Sequence, residues 1–213
     1  MRFVVAAVLV ALSAQAFDAT SAPLTRGQRA LLVRAHEYHN GCPVKLSGLR
    51  VLGVSYWGFD HKVHEGTMVV NAGAVAPLTT VFHKLYDLRF PIHYMSLMDA
   101  YGPHPPPSGD VTASFECRQA VKSPCNKGGR LGTGSWSEHA YGEAVDLNPV
   151  ENPYVGCGQT RDKTAVSFMK RTPLRPGMVT PAVLAAFQSV GWGWGGSWYG
   201  STKDYMHFSQ SGH

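Results

Sequence analysis

The sequence "SEHAYGEAVDLNP" (residues 137–149) places His139 and Asp146 seven positions apart, on either side of Gly142. In its second half, apolar residues alternate with Asp146 and its neighbours, which predicts a strand with one buried face. Glycine at position 142 allows the chain to turn sharply before that strand. A carboxylate without a partner is disfavoured inside a strand. We therefore expect His139 and Asp146 to converge, and a metal ion would explain why.

A third ligand is available near the C-terminal end of the chain. The segment "KDYMHF" (residues 203–208) contains His207, with Asp204 three positions earlier. Positions three apart on a straight strand point to opposite faces, so we predict that the chain bends at Asp204. The bend would let His207 bind an ion while Asp204 accepts a proton from water. Zinc is commonly held by imidazole and carboxylate, with one position open for water in catalytic sites.

These segments, with "ASFECR" (residues 113–118) and "WGWGGSW" (residues 192–198), resemble the zinc D-alanyl-D-alanine carboxypeptidase family. That family includes bacterial endopeptidases and phage endolysins that cleave the L-alanyl-D-glutamate bond. The family signature S-x-H-x-x-G-x-A-x-D is matched in full by Ser137, His139, Gly142, Ala144 and Asp146. The N-terminal half of the chain matches the family only loosely.

The resemblance implies a zinc ion held by His139, Asp146 and His207, with Asp204 as the general base. Many relatives carry Glu at the base position, and aspartate is one methylene shorter. Some branches share the aspartate, so the difference bears on the subtype of enzyme and not on whether a base is present.

Further residues are candidates for contact with a substrate. The resemblance implies that Arg118 binds a peptide carboxylate or the developing oxyanion, and its fixed fork of donors suits either task. Arg118 could instead pair with Glu116. Ser137 is expected to hydrogen-bond beside the metal, and Trp194 could either wall a substrate groove or belong to the core. His104, in a Pro-rich loop, is a weaker candidate.

The segment "MRFVVAAVLVALSAQA" (residues 1–16) has the three-part pattern of a secretory signal peptide, with cleavage expected after Ala16. Its apolar run is too short to span a bilayer, as is every later stretch. Residues 17–213 are then expected to form one secreted domain, extracellular or in the cell wall, and monomeric. Removal of Arg2 with the signal peptide would lower the formal charge from +5 to +4 (18 basic and 14 acidic residues). This modest excess suits an anionic partner such as a wall polymer, and no nucleic-acid partner is expected.

Four cysteines in an exported chain predict disulfides, and the absence of a CxxC pair argues against a thiolate zinc site. Three pairings are possible. Cys117 and Cys125 flank a short loop rich in Lys, Pro and Gly, which favours that pair and leaves Cys42 with Cys157.

The fold class is predicted to be α+β, an antiparallel sheet with flanking helices. The resemblance implies the arrangement of hedgehog domains and D-Ala-D-Ala peptidases. Helices are predicted at residues 25–40, at 76–90 with Pro77 in first position, and from the N-cap Thr180 to Gly191. A hairpin is predicted across residues 49–71, and shorter strands at 91–98, 111–118, 143–149 and 191–210.

The sequence thus predicts a secreted zinc metallopeptidase that hydrolyses peptidoglycan stem peptides, as a D,D-carboxypeptidase or as an L-alanyl-D-glutamate endopeptidase. One alternative is a noncatalytic zinc module that binds wall or surface ligands, although the presence of Asp204 argues against it. Another is a disulfide-stabilised binding protein without a metal, which requires the three ligand matches to be accidental.

Overall fold

The computed structural model describes residues 15–97, 109–126, 132 and 134–213. His104 and residues 1–14 of the expected signal peptide lie outside the described residues. The described helices are α1 (Arg26–Arg34), α2 (Val75–Asp87) and α3 (Pro181–Gln188). The described strands are β1 (Ala19–Pro23), β2 (Leu49–Trp57), β3 (Val63–Asn71), β4 (Tyr94–Met95), β5 (Val111–Thr112), β6 (Ala144–Asp146), β7 (Tyr154–Gly156), β8 (Gln159–Thr160), β9 (Gly193–Trp194), β10 (Lys203–Asp204) and β11 (His207–Ser209). In these ranges no helix is long and apolar enough to span a membrane.

The largest sheet is antiparallel, with strand order β1-β2-β3. The β2–β3 hairpin confirms the prediction across residues 49–71. Its buried face packs against α2, whose apolar side chains recur at helical spacing and are almost completely buried. The core continues to α3 and the C-terminal strands, where the rings of Phe187 and Phe208 stack with centroids 3.7 Å apart. This core supports the strands that carry the candidate site.

The remaining strands form three smaller sheets. Two are antiparallel, with orders β6-β11-β9 and β10-β7-β8, and β4 pairs with β5 in parallel. The mixture of helices and mainly antiparallel strands agrees with the predicted α+β class. The prediction of one antiparallel sheet is wrong in detail, because the described strands are divided among four sheets.

Helix α1 is shorter than predicted. Thr25 caps its N-terminus in a reciprocal pair of hydrogen bonds with Gln28, as expected for a helix that starts there. The helix ends at Arg34 and does not continue to residue 40. His36 adopts a left-handed backbone conformation, with φ of 62°, so the chain leaves the helical path there. The side chain of Tyr38 then packs into a second, smaller core.

The other two helices lie close to their predicted positions. The Thr180 hydroxyl accepts a hydrogen bond from Val183 N and Pro181 is the first helical residue, which confirms the predicted start of α3. Helix α2 begins at Val75, so Pro77 is its third residue and not its first. A proline is still tolerated there, because the first-turn N–H groups have no partner within the helix.

The disulfides join Cys42 to Cys117 and Cys125 to Cys157, so the predicted pairing is wrong. Cys117 N donates to Glu37 O, which brings the segment that contains Cys117 beside the turns that follow α1. The short loop after Cys117 leads away to a different partner. Proximity along the chain was a poor guide because the path of the backbone, not the loop length, sets which sulfurs meet.

Candidate metal centre and its cavity

Strands β6 and β11 bring Asp146 and His207 together. The two strands are antiparallel, and Asp146 lies directly opposite His207 in their register. Side chains of directly opposed residues project from the same face of a sheet. The convergence of these two groups therefore follows from strand pairing, although 61 positions separate them in the sequence.

His139 reaches the same point from the turn before β6. It lies in a short 3₁₀ helix, Glu138–Tyr141, whose N-cap residue Ser137 accepts a hydrogen bond from His139 N at 3.4 Å. Gly142 ends this helix in a left-handed conformation, with φ of 68°, and the chain then enters β6. Ser137 and Gly142 thus set the position of His139 from its two sides.

We expect Gly142→Ala to destabilise the fold by roughly 2 kcal/mol or more, because it combines a left-handed backbone with a steric clash. A Cβ at position 142 would lie 2.6 Å from Asn71 N and 3.1 Å from Val70 C, both backbone atoms of the hairpin. Urea unfolding monitored by circular dichroism measures the effect. Gly191→Ala is the matched control, since Gly191 has φ of 82° but open space around it. Equal losses in the two variants would contradict a role for the contact with the hairpin.

The ligand atoms of the three residues form a compact triangle. Asp146 Oδ1 lies 3.2 Å from His139 Nε2 and 3.3 Å from His207 Nδ1, and those two nitrogens are 3.2 Å apart. Both imidazoles are buried, whereas the Asp146 side chain is 21% exposed. The group is therefore open to solvent on the side of Asp146.

Backbone carbonyls fix which nitrogen of each ring faces the triangle. His139 Nδ1 lies 2.5 Å from Ser114 O, and His207 Nε2 lies 3.0 Å from His213 O. A carbonyl oxygen only accepts, so these two nitrogens carry the hydrogens and the opposite nitrogens direct lone pairs at Asp146. Asp146 Oδ1 is buried without a hydrogen-bond partner. Two imidazole nitrogens and one carboxylate oxygen facing one another fit a Zn²⁺ ion.

The electrostatics of the triangle indicate the same need for positive charge. Burial acts to raise the pKa of Asp146, but His139 and His207 outweigh it, and the pKa lies well below its usual range. Burial acts to lower the pKa of His207, but the Asp146 carboxylate outweighs it, and the pKa is raised. Both pKa shifts favour a positive charge beside the Asp146 carboxylate. A protonated histidine can supply that charge, and a bound divalent cation would supply it instead of the proton.

Asp204 stands beside the triangle on a different strand. It lies on β10, which pairs with β7, whereas His207 lies on β11 in another sheet. A bend was predicted at Asp204, and the chain bends directly after it, at residues 205–206. Burial raises the pKa of Asp204 to about 7, and the Asp146 carboxylate adds to the shift. Asp204 Oδ1 is buried without a hydrogen-bond partner.

A close contact between Asp204 and Gly195 fixes the backbone at this position. A Cβ on Gly195 would lie 2.5 Å from Asp204 O and 2.9 Å from Asp204 Cβ. The glycine-rich segment that precedes β10 therefore has a local reason for its composition, because a larger residue at position 195 would displace Asp204.

Two of the candidate ligands, His139 and Asp146, line a cavity of about 370 Å³, and His207 lies behind them. Arg118 lines this cavity, and its Nε donates to the Glu116 carboxylate, which also lines it. Both predicted possibilities for Arg118 are thus compatible with its position, since it pairs with Glu116 and faces the site. The other lining residues include His139, Asp146, Asp204, Met206, Phe115, Val121, Pro124, Tyr154, Arg161 and Asp162.

One wall of the cavity is formed by residues that the sequence did not indicate. Tyr154 and Arg161 belong to the β7–β8 region, and both line the cavity. The guanidinium of Arg161 donates to Lys122 O and Ser123 O. The disulfide from Cys125 to Cys157 joins the same two segments. In the sequence, the only sign that these two segments meet was the possibility of a disulfide between Cys125 and Cys157. The sequence analysis favoured a different pairing and therefore missed this wall.

Trp194 and Ser137, which were candidates for contact with the substrate, lie outside the lining of the cavity. The Trp194 indole donates to Tyr205 O at 2.9 Å, and its ring packs against Phe208 and the main core. Neither Trp194 nor Ser137 is among the described residues that line the cavity. Their positions favour a core role for Trp194 and a capping role for Ser137.

The C-terminal part of the chain is similar to a known protein family. Residues 131–210 match the family model of D-alanyl-D-alanine carboxypeptidase. This match supports the resemblance inferred from the sequence, and the matched segment contains His139, Asp146, Asp204 and His207. Arg118 precedes the matched segment. Neither the curated proteins nor the solved structures give a match to the chain. The carboxypeptidase family match supports a peptidase, and the described residues include a group able to hold the metal that such peptidases use.

Proposed function

We propose that this protein is a secreted zinc peptidase that hydrolyses peptide bonds in peptidoglycan stem peptides. The observation that carries the proposal is the convergence of three lone-pair donors, His139 Nε2, His207 Nδ1 and Asp146 Oδ1. They meet at the cavity that His139, Asp146 and Asp204 line. The family match supports the class of reaction. The hedgehog-like arrangement, the signal peptide and the single domain at residues 17–213 belong to the same proposal, and the two disulfides are compatible with export.

In the proposed mechanism, His139, Asp146 and His207 would hold Zn²⁺. When bound, the ion supplies Lewis acidity, which makes water a better nucleophile and a peptide carbonyl a better electrophile. The Asp204 carboxylate accepts a proton from the attacking water and then donates it to the leaving amine. A pKa raised toward neutrality suits both transfers, because the same group must gain and lose the proton.

Arg118 is proposed to orient the substrate. Its guanidinium is held at the cavity by Glu116, and a substrate carboxylate or the developing oxyanion could share its donors. A bound terminal carboxylate would favour removal of D-alanine, whereas a bound oxyanion is compatible with cleavage between L-alanine and D-glutamate. Ser137 is proposed to hold His139 in position by accepting a hydrogen bond from its backbone N–H. Trp194 is proposed to support His207 indirectly, because its strand β9 pairs with β11.

Digestion of purified muropeptides, followed by mass analysis of the products, tests this proposal. We expect zinc-loaded protein to release either D-alanine or the peptide that begins with D-glutamate, and the product identifies the bond. A chelator should stop the cleavage, and added Zn²⁺ should restore it. Intact muropeptides after incubation with zinc-loaded protein would overturn the proposal and favour the noncatalytic wall-binding module.

A further inference from the structure

A second cluster of metal-binding side chains lies outside the peptidase site. His93 precedes β4, Asp110 precedes β5 and Glu151 follows β6, so three separate segments contribute one side chain each. His93 Nε2 lies 3.1 Å from Glu151 Oε1 and 3.5 Å from Asp110 Oδ2. None of the three residues lines the cavity described above.

The two carboxylates of this cluster are deeply buried. Asp110 is 1% exposed and Glu151 is 4% exposed, while the His93 side chain is 34% exposed. Glu151 Oε2 is buried without a hydrogen-bond partner. Burial raises the pKa of Glu151 to about 8, and the adjacent Asp110 adds to the shift. Two carboxyl groups this close need a proton or a cation between them.

Two arginines near the cluster donate hydrogen bonds to acceptors other than its carboxylates. Arg171 donates to Glu151 O and Asn152 Oδ1, which are a backbone and an amide oxygen. Arg175 donates to Ser167 O. His93 and the charge of Arg175 both act on Glu151. A divalent ion would add positive charge between the two carboxyl groups.

Contacts around the cluster orient its members. Val150 N donates to Asp110 Oδ1 at 3.0 Å, which turns the other oxygen toward His93. The His93 ring stacks on Phe59 with centroids 3.7 Å apart. Such orienting contacts are typical of the surroundings of metal ligands. The exposed edge of His93 offers a path by which an ion could enter.

One more group of potential ligands is His39 with Cys42 and Cys117. Its two sulfurs are joined in a disulfide, so neither is a thiolate that could bind an ion.

We propose that His93, Asp110 and Glu151 form a second divalent metal site, distinct from His139, Asp146 and His207. One imidazole and two carboxylates suit a transition-metal ion such as Zn²⁺ or Mn²⁺ and offer too few hard oxygen ligands for Ca²⁺. The ion would tie the segment after β6 to the β4–β5 pair. Because β6 carries Asp146, this second site would stabilise the strand on which the peptidase site is built.

Metal content tests the proposal on the purified full-length protein. The chain is stripped with a chelator, equilibrated with Zn²⁺ alone or Mn²⁺ alone, dialysed and measured by elemental analysis. With Zn²⁺ we expect about two ions per chain in the wild type, and about one in Glu151→Gln or His93→Ala. His64→Ala is the matched control, because His64 also pairs with a carboxylate, Asp60, but on the surface, and its metal content should equal that of the wild type.

Circular dichroism checks that each variant is folded. If Glu151→Gln does not fold, the partly exposed His93→Ala variant decides the question. Wild-type zinc content in folded His93→Ala would overturn the second site. The two proposals can be tested separately. Loss of an ion in His93→Ala reports on the second site, whereas loss of an ion in His207→Ala reports on the peptidase site. One ion that depends on His207 and not on His93 would remove this inference and leave the proposed function standing.

Discussion

We expect Asp204→Asn to lower kcat by about 100-fold or more while the zinc content of the protein is unchanged. The amide of asparagine matches the carboxyl group in size but cannot accept a proton from water. Asp204 is not a member of the ligand triangle, so its replacement removes proton transfer and leaves His139 and His207 in place. Steady-state kinetics with a stem-peptide substrate, together with elemental analysis, measure the two effects.

The pH profile gives an independent readout for Asp204. In the wild type, kcat/KM should fall as the pH decreases through the pKa of Asp204, because the protonated acid cannot act as a base. Burial raises that pKa to about 7, and a bound cation would shift it lower again. The residual activity of Asp204→Asn should lack this acidic limb, which a merely structural change would leave in place.

The control for Asp204 is Asp87→Asn, which removes one carboxylate from the exposed end of α2. Its kinetics should match those of the wild type. Wild-type kcat in zinc-loaded Asp204→Asn would exclude Asp204 as the general base, and the proton acceptor would have to be sought among the other groups at the cavity.

Much of the candidate metal centre could be predicted from the sequence, because the direction of a side chain along a strand depends on neighbouring residues only. The alternation around Asp146 predicted its strand, and the glycine at position 142 predicted the turn that brings His139 back. The three-residue spacing of Asp204 and His207 required a bend, and the structure places the two residues in different sheets. The inferences about Asp146 and about the bend used the fixed two-residue period of a strand, whereas the turn at Gly142 followed from the conformational freedom of glycine.

The cavity wall and the second cluster were not accessible in the same way. Tyr154 and Arg161 lie in the β7–β8 region, which the disulfide between Cys125 and Cys157 joins to an earlier segment of the chain. The sequence alone allows three disulfide pairings and does not select this one. His93, Asp110 and Glu151 belong to no short motif, and their meeting depends on how three loops pack. Long-range contacts of this kind leave no periodic signal in a single sequence.

The regular elements were predicted where they are long and amphipathic. The β2–β3 hairpin and helices α2 and α3 have enough residues for an apolar period to be visible. Strands such as β4, β5 and β10 contain two residues each, too few for an alternation. Strand β1 is mostly exposed, so its sequence has no apolar face to indicate a strand.

We expect His207→Ala to remove one zinc ion per chain and to lower kcat/KM by about 10³-fold or more, because Lewis-acid chemistry contributes several kcal/mol to a hydrolysis. His207 supplies Nδ1 to the triangle from the strand directly opposite Asp146. Without that nitrogen, His139 and Asp146 offer only two ligand atoms, fewer than the three that catalytic zinc sites use. Elemental analysis after dialysis and peptidase assays measure the two losses together.

Two further variants separate loss of a ligand from loss of packing, since His207 is buried and its truncation also leaves a cavity. Asp146→Asn keeps the side-chain volume and removes the anionic ligand, so it should lose the same ion while its thermal unfolding stays closer to the wild type. His83→Ala removes a histidine that pairs with Asp87 on the surface and should change neither zinc content nor activity. Full zinc occupancy in both His207→Ala and Asp146→Asn would show that the ion binds elsewhere, and the proposed mechanism would then have no metal at the bond to be cut.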